Sequence, residues 1–524
     1  MNISRRKLMK MLAGTAPLAL SPRAFTHAAA FAPAPGPVIV PGPFKGTRAS
    51  LEAYQIPEWF RDAKFGIWAH WGPQSAAEDG DWYARNMYMQ GSPQYEYHVK
   101  TYGHPSRFGF KDIIPGWKAE KFDPDYLMGL YKNAGAKYFV SMGVHHDNFD
   151  LWHSRYTRWN AVQMGPHRDI VGAFRQAAAK HGLRFGVSDH LWISWKWFST
   201  SHGADATGSL AGVPYDGVKP ATYDLYHDVK KVYTKLPWND DEIPESWKAH
   251  WFKRIKDLVD HYHPDLLYCD GAIPFEDWGL SLVAHLYNTD YKKNHGKLEA
   301  VYTSKRQEDS HKGTCVLDVE RGLVDQIWPR PWQTDTCVGG WHYDRSLFER
   351  HGYKTPKRVI DMLVDIVSRN GNLLLNFPLP SNGMLDTDEL SILEHITSWM
   401  KINGEAIYAT RPWKIFGYGP ATDVPATGTS FNEDKRQDLT AADIRFTRKG
   451  SLVYAFFMGW PAEPLVIKTL GSASKEQPGK ITHVRLLGFD GTLNWSQQTD
   501  GLSVTLPDQK PCDFACALEI SLNA

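Results

Sequence analysis

The sequence predicts an α/β fold in which a (β/α) barrel of the TIM type is followed by a C-terminal antiparallel β-sandwich. Helix-then-strand units repeat as far as about residue 410, and short alternating apolar runs replace them afterwards. No glycine-rich nucleotide loop follows any predicted strand, which favours a closed barrel over an open sheet. We therefore expect a catalytic barrel over residues 51–410 and a β-sandwich over 411–524.

Each helix-then-strand unit carries its own start and stop signals. In the first, Asp123-Pro124 supplies an N-cap and a first-turn proline, Gly135 ends the helix, and the apolar run 138–142 predicts a strand. Three later units share this order, with helices predicted over 170–180, 247–262 and 356–369 and strands over 183–187, 265–268 and 373–375. After residue 410, alternating runs over 442–447, 452–457 and 482–487 predict antiparallel strands.

The N-terminus has the features of an export signal. Arg5-Arg6 precede an apolar stretch, residues 12–20, that is too short to span a membrane, and Ala28 lies in a small-residue cleavage region. We expect a twin-arginine signal peptide over 1–30, a flexible lead-in over 31–50, and a periplasmic or secreted protein without a membrane span. An uncleaved basic tail is the alternative.

Composition restricts the partners. With 59 basic and 58 acidic residues the chain gives no electrostatic case for nucleic acid, whereas 21 tryptophans favour carbohydrate. The five cysteines show no zinc-site spacing and no disulfide framework is expected, although whether Cys512 and Cys516 pair is left open. The sequence carries no signal for the oligomeric state.

Chemically reactive side chains follow four predicted strands: His70, His145-His146-Asp147, Asp270 and Glu320. Functional groups of a barrel enzyme lie at the C-terminal ends of its strands, so we expect these side chains to share one pocket. Two carboxylates beside histidines and tryptophans suit a glycosidase, in which one carboxylate attacks the anomeric carbon and the other transfers the proton.

Each of these residues also has a structural interpretation. Asp270 precedes a glycine, as in many turns, and Glu320 beside Arg321 is as consistent with an ion pair as with catalysis. The histidines could be structural, or a metal could bind at His145-His146-Asp147. Adjacent residues of a strand point to opposite faces, so a shared ion requires the strand to end before His146.

Five segments occur in the order found in one known family: FGIWAHWGP (65–73), YEYHVKTYG (95–103), AGAKY (134–138), HHD (145–147) and GNLLLN (371–376). Between about residues 52 and 412 the chain thus resembles the retaining α-L-fucosidases of glycoside hydrolase family 29, whose fold is a distorted barrel with a C-terminal β-sandwich. The resemblance implies Asp270 as nucleophile. It implies substrate binding by His70, Asp81, Trp82, His145, His146, Tyr268 and Trp341.

The chain departs from the family pattern at several of these positions. Asp81 stands where the family often has Glu, Tyr268 where it usually has Trp, and His342 replaces the glycine of a Trp-Gly-Tyr segment. The Ile-Gly-Pro that usually follows Asn376 is Phe-Pro-Leu over 377–379. These differences concern the preferred sugar and leaving group more than the reaction.

The proton donor is the least uniform feature of the family. Some relatives carry it in a Trp-Glu step that aligns with Trp332-Gln333, but an amide cannot donate a proton near neutral pH. Glu320 is therefore the predicted acid/base, with Asp318 or Asp335 next in line. The resulting prediction is an exo-acting, retaining α-L-fucosidase that acts on fucosylated oligosaccharides or glycoconjugates without a metal or cofactor. The alternatives are a glycosidase for a similar sugar such as α-L-galactose, an inactive sugar-binding homologue, and a metal-dependent hydrolase.

Overall fold

A computed structural model of the chain describes residues 36–422 and 430–523. The export signal predicted over 1–30 lies outside these residues. Residues 36–50 of the predicted lead-in lie against the barrel, where the backbone N–H groups of Val40 and Phe44 donate to the side chains of His285 and Asn288. Among the described residues no helix is long and apolar enough to cross a membrane.

Eight parallel strands form a closed barrel in sequential order, and β8 pairs with β1 to complete it. The strands are β1 (Phe65–Ala69), β2 (Tyr138–Val144), β3 (Arg184–Asp189), β4 (Leu266–Cys269), β5 (Val301–Ser304), β6 (Val316–Glu320), β7 (Trp332–Cys337) and β8 (Gly371–Asn376). The predicted fold class is therefore confirmed. Two strands, β5 and β7, were absent from the sequence prediction.

The α-helices of the described residues surround the barrel or lie in its loops. In chain order they are α1 (Arg48–Leu51), α2 (Glu58–Ala63), α3 (Tyr83–Asn86), α4 (Pro93–Thr101), α5 (Phe110–Ile113), α6 (Pro124–Asn133), α7 (Ile170–Lys180), α8 (Ser194–Trp197), α9 (Tyr223–Tyr226), α10 (Glu245–Tyr262), α11 (Asp277–Lys293), α12 (Gln307–His311), α13 (Arg345–Glu349), α14 (Pro356–Ser368) and α15 (Thr387–Asn403). The predicted cap at Asp123 is present, since its carboxylate accepts from the first turn of α6, and the Thr355 side chain caps α14 in the same way.

A close approach inside the barrel explains one glycine. The ring of Tyr138 lies against Gly66, where an added Cβ would come within 2.3 Å of the ring, and the Tyr138 hydroxyl donates to the Gln333 side chain at 2.8 Å. Gly66 on β1 thus lets a tyrosine from β2 cross the barrel interior to β7. This layer lies beneath the strand ends, so it closes the barrel from below.

The C-terminal residues form two antiparallel sheets. The first has the strand order β13-β16-β11-β10-β9 and the second β12-β15-β14. These strands are β9 (Arg411–Tyr418), β10 (Ile444–Lys449), β11 (Leu452–Phe457), β12 (Leu465–Ile467), β13 (Ile481–Leu486), β14 (Asn494–Gln497), β15 (Leu502–Thr505) and β16 (Cys516–Leu522). Their facing sides bury a shared apolar core that includes Phe446, Phe457 and Leu502.

A buried ion cluster joins the C-terminal sheets to the barrel. The Asp365 carboxylate on α14 pairs with Arg369, which follows the last residue of this helix, and accepts at 2.5 Å from Nε of Arg445 on β10. The ring of Phe416 on β9 packs against Arg369, and the guanidinium carbon lies 3.8 Å from the ring centroid. Because breaking a buried pair leaves an uncompensated charge, this cluster ties the two parts together.

Candidate active site

A cavity of about 540 Å³ opens at the C-terminal ends of the barrel strands. Its lining includes all nine residues that the sequence analysis assigned to catalysis or substrate binding, but not Asp147, together with seven further residues. The lining residues are Trp68, His70, Asp81, Trp82, His145, His146, His190, Trp238, Tyr268, Asp270, Gly271, Lys305, Glu320, Asp335, Trp341 and Phe431. Side chains from β1, β2, β4 and β6 therefore do meet in one place, as the strand-end argument predicts.

Asp270 follows the last residue of β4 and is held by three cationic or imidazole groups. Its Oδ2 lies 3.3 Å from both His146 Nε2 and His190 Nδ1, and its Oδ1 lies 3.6 Å from Lys305 Nζ. Burial alone would raise the pKa of Asp270, but His190, His146 and Lys305 outweigh it and hold that pKa well below its usual range. Asp270 is therefore an ionised carboxylate, not a turn residue.

Glu320, the last residue of β6, has the opposite character. Its Oε2 accepts from Lys305 Nζ at 2.9 Å. Burial raises the pKa of Glu320 to about 7, with Lys305 opposing this rise and the charges of Asp335 and Asp270 adding to it. Two carboxyl groups with separated pKa values, one ionised and one protonated near neutrality, are what a general acid and its partner require.

Lys305 limits the distance between the carboxyl groups of Asp270 and Glu320. Because its Nζ lies 3.6 Å from Asp270 Oδ1 and 2.9 Å from Glu320 Oε2, these two oxygens cannot be more than about 6.5 Å apart. Inverting glycosidases separate their carboxyl groups by about 6.5–9.5 Å, and retaining enzymes by about 5–5.5 Å. For the two oxygens that face Lys305, this limit accommodates the retaining distance and excludes all but the lower edge of the inverting range.

Asp318 on β6 and Asp335 on β7 also face Lys305. Their carboxylates are 3.6 and 3.2 Å from its Nζ. Asp335 accepts from the Tyr268 hydroxyl at 2.8 Å, and Asp318 accepts from the Gln333 amide at 2.6 Å. Asp318 does not line the cavity, and Asp335 lines it but is buried and already accepts from Tyr268 and Lys305, so Glu320 is better placed to reach a leaving group.

Three histidines that were predicted from the sequence also line the cavity. His70 follows β1, and His145 and His146 both follow β2, which ends at Val144. The strand therefore ends before His146, so both neighbouring side chains reach the cavity. Burial lowers the pKa of His70 and His145 well below the usual range, and the adjacent imidazoles add to this effect. Neutral rings of this kind can both donate to and accept from sugar hydroxyls.

His146 is more strongly constrained. Its Nδ1 lies 2.5 Å from the carbonyl oxygen of His190, and its Nε2 faces the Asp270 carboxylate. These two contacts fix the orientation of the His146 ring against Asp270.

Two of the departures from the family pattern touch each other. The Asp81 carboxylate accepts a 2.6 Å hydrogen bond from Nδ1 of His342, whose side chain is fully buried. Trp82 meets His146 edge to face, and Trp341 lies beside Trp68 and His70. The shorter acid at position 81 is thus held by the imidazole that replaces a glycine.

Comparison with known sequences agrees with this geometry. Residues 37–405 match the sequence model described as alpha-L-fucosidase, and residues 436–521 match the model described as alpha-L-fucosidase C-terminal domain. The chain belongs to the α-L-fucosidase family. It is therefore a glycoside hydrolase by family.

Relatives match along most of their length. The chain is 28% identical to human tissue alpha-L-fucosidase over 483 residues, which is 90% of each chain. It is 29% identical to human plasma alpha-L-fucosidase over 501 residues, 91% of this chain and 92% of that protein. The alpha-fucosidase of Thermotoga maritima, solved in complex with fucose, matches with a TM-score of 0.67 and 26% identity, covering 91% of this chain and all of the other.

Two groups of side chains in this fucosidase-family pocket have the composition of metal ligands. One contains His70, Asp81, His145 and His342, and the other His145, His146 and His190, with ligand atoms within 4.8 Å of one another in each group. Asp147, which the sequence analysis considered as a ligand, is buried, and its Oδ1 accepts from the Phe149 backbone N–H. The same imidazoles suit sugar hydroxyls equally well.

Four lining residues, His190, Trp238, Lys305 and Phe431, escaped the sequence analysis. His190 follows β3 and Lys305 follows β5, so the strand-end rule would have found both if β5 and the full extent of β3 had been predicted. Trp238 and Phe431 come from loops, where no strand marks their position. No local signal in the sequence identifies them.

Proposed function

We propose that this protein is an exo-acting, retaining α-L-fucosidase that releases terminal α-L-fucosyl residues from glycans by double displacement. Asp270 is the nucleophile and Glu320 the acid/base. The observation that carries this proposal is the bridge made by Lys305, which holds one oxygen of the ionised carboxyl group and one of the protonated carboxyl group no more than about 6.5 Å apart.

In the first step, one Asp270 oxygen attacks the anomeric carbon while the Glu320 carboxyl donates its proton to the glycosidic oxygen. The bond to the leaving group breaks, and a covalent fucosyl–enzyme ester forms. Lys305 supports both roles because it stabilises the carboxylate of Asp270 before attack and that of Glu320 after proton transfer. His146 and His190 keep Asp270 ionised and aim its oxygens.

In the second step, Glu320 is a carboxylate and takes a proton from water. The resulting oxygen attacks the anomeric carbon and breaks the ester bond, which returns Asp270 as a carboxylate and Glu320 as an acid. The anomeric configuration is inverted twice and is therefore retained. The reaction uses only side chains of the chain, so no metal or cofactor is required.

Recognition of the sugar is assigned to the remaining walls of the cavity. We propose that His70, His145 and Asp81 hydrogen-bond the hydroxyls, and that Trp82, Tyr268 and Trp341 contact the apolar C–H faces of the ring. Tyr268 is a fixed part of the floor, since its hydroxyl donates to Asp335. The barrel core closes the cavity from below, which suits a terminal sugar and hence exo-action. The fucose complex of the Thermotoga relative supports this choice of sugar.

The natural substrate and location belong to the same proposal. We propose a fucosylated oligosaccharide or glycoconjugate as substrate and export by the twin-arginine route to the periplasm or beyond. The paired Arg5-Arg6 motif supports this location.

Azide rescue tests both catalytic assignments at once. In Asp270→Gly, azide should enter from the side vacated by the carboxylate and give β-L-fucosyl azide from an activated aryl α-L-fucoside. In Glu320→Ala, azide should attack the covalent intermediate from the opposite side and give α-L-fucosyl azide. Asp277→Gly, at the start of α11 outside the cavity, is the matched control and should yield free fucose at the wild-type rate. The same azide anomer from both active-site variants would overturn the assignment.

A further inference from the structure

Two aromatic side chains at the cavity are far more exposed than its other lining residues. Phe431 is 58% exposed and Trp238 is 53% exposed, although both line the site. An aromatic ring left open to solvent at the mouth of a sugar pocket offers a flat apolar surface for a second ring. The cavity volume of about 540 Å³ lies in the range that accommodates ligands larger than one monosaccharide.

The neighbours of these two rings place them on different sides of the mouth. The ring centroid of Trp238 lies 5.9 Å from the ring centroids of Trp82 and His146. Trp238 therefore belongs to the side of the mouth that is assigned to fucose. The backbone N–H of Phe431 donates to the carbonyl oxygen of Glu320 at 2.8 Å. Phe431 therefore lies beside the acid/base. The acid/base of a retaining glycosidase faces the leaving group, because it must protonate the glycosidic oxygen.

Phe431 is held there by the residues that follow it. The Glu433 carboxylate accepts from Arg321 Nε and from the Thr336 hydroxyl, each at 2.7 Å, and lies 3.1 Å from Lys354 Nζ. The Asn432 side chain accepts from the Leu323 N–H and donates to the Leu323 carbonyl. This segment thus docks on the ends of β6 and β7 through buried polar contacts, while the Phe431 ring stays exposed.

Phe431 also lies between the two matched family regions, which end at residue 405 and resume at residue 436. Neither family model covers this position.

We propose that Phe431 is the platform of a leaving-group subsite, on which the sugar that carries the fucose stacks its apolar C–H face. This inference rests on the proposed function and deepens it. The subsite favours fucosides whose next residue is a pyranose over fucosides with a small leaving group. It acts on binding and on delivery of the glycosidic oxygen to Glu320, and it leaves the chemistry at Asp270 unchanged.

The test compares substrates with and without a leaving-group sugar. The kcat/KM values of wild type, Phe431→Ala and Phe431→Tyr are measured on 2′- and 3-fucosyllactose and on α-L-fucosyl fluoride, which has no leaving-group ring and needs no proton donor. Loss of one stacking contact should lower kcat/KM of Phe431→Ala on whichever fucosyllactose the wild type cleaves by about 3- to 10-fold, mainly through KM. Fluoride hydrolysis should stay within about twofold, and Phe431→Tyr should keep wild-type values on both.

The control is Tyr126→Ala, which removes an aromatic ring of similar exposure from α6, outside the cavity, and should change neither substrate. Parallel losses on fucosyllactose and fluoride would show that the side chain only supports Glu320, and no loss on either would show that nothing stacks on Phe431. Either result overturns the subsite. If the wild type hydrolyses no α-L-fucoside, fluoride included, the proposed function fails and the subsite with it.

Discussion

The contact between Asp81 and His342 offers a sharp test of how this pocket is built. Changing His342 to glycine and Asp81 to glutamate restores the residues that the family more often carries, one at a time or together. In the chain as it stands, the Asp81 carboxylate is fixed by a 2.6 Å hydrogen bond from a fully buried imidazole. His342→Gly frees that carboxylate, and Asp81→Glu pushes a longer side chain against the imidazole.

The size of the effect follows from the geometry. A hydrogen bond to a charged group contributes about 1.5–3 kcal/mol. Because the Asp81 side chain is 23% exposed, solvent reduces this, and we expect about 1–2 kcal/mol for the pair. If Asp81 grips a sugar hydroxyl, each single change should lower kcat/KM about 5- to 30-fold. The double change should lose clearly less than the two single losses combined, since the longer acid then occupies the space of the imidazole.

The assay is a double-mutant cycle on kcat/KM for an aryl α-L-fucoside, with the thermal unfolding midpoint of each variant measured in parallel. A coupling free energy of about 1–2 kcal/mol in activity is expected. Strictly additive losses would refute the reasoning, because they would mean that the two residues act independently of each other. Losses that follow the unfolding midpoints alone would assign the pair to stability instead.

Three further predictions address the chemistry and the export signal. The value of kcat/KM should fall as pH rises through about 7, because the Glu320 pKa is about 7 and its proton is lost there. It should persist below about pH 4, because the Asp270 pKa is held well below its usual range. A pH profile whose basic limb is unmoved in Glu320→Ala would contradict this. Glu320→Ala should slow fucosyllactose hydrolysis by about 10²–10⁴-fold yet spare the glycosylation step of activated aryl fucosides, and equal losses on both would return Glu320 to the ion-pair interpretation. Replacement of Arg5 and Arg6 by lysine should leave the precursor in the cytoplasm, which cell fractionation checks; unchanged periplasmic recovery would contradict it.

Much of the site could be predicted because the C-terminal ends of all barrel strands lie at the same face of the barrel. Asp270 and Glu320 lie 50 residues apart in the chain, yet each follows a strand of the same barrel, so both side chains reach the same cavity. The same reasoning placed His70, His145 and His146 correctly at the cavity. The strand-end rule needs only that the strand itself be predicted.

The strands that were missed explain the residues that were missed. β5 is only four residues long, and β7 carries Gln333, Thr334 and Asp335, whose polar side chains are buried. The pattern of β7 is not apolar because its inward side chains belong to the polar network at the base of the site. Because β5 was not predicted, nothing in the sequence marked Lys305, which contacts four carboxylates and links Asp270 to Glu320.

The loop residues could not be predicted from the sequence for a different reason. Phe431 is held in the pocket wall by contacts between the segment after it and the ends of β6 and β7, more than 90 residues earlier in the chain. Contacts of this range leave no periodicity in the local sequence. The contact between His342 and Asp81 could not be predicted for the same reason. The sequence shows two separate departures from a family pattern and no sign that they touch.

The stereochemical course of hydrolysis tests the central claim most directly. Proton NMR of the wild-type reaction on an aryl α-L-fucoside, followed from the first minutes, shows which anomer of fucose is released before mutarotation mixes the two. Double displacement between Asp270 and Glu320 predicts that α-L-fucose appears first and that β-L-fucose accumulates only later. Initial release of β-L-fucose, or no release of fucose at all, would contradict the account.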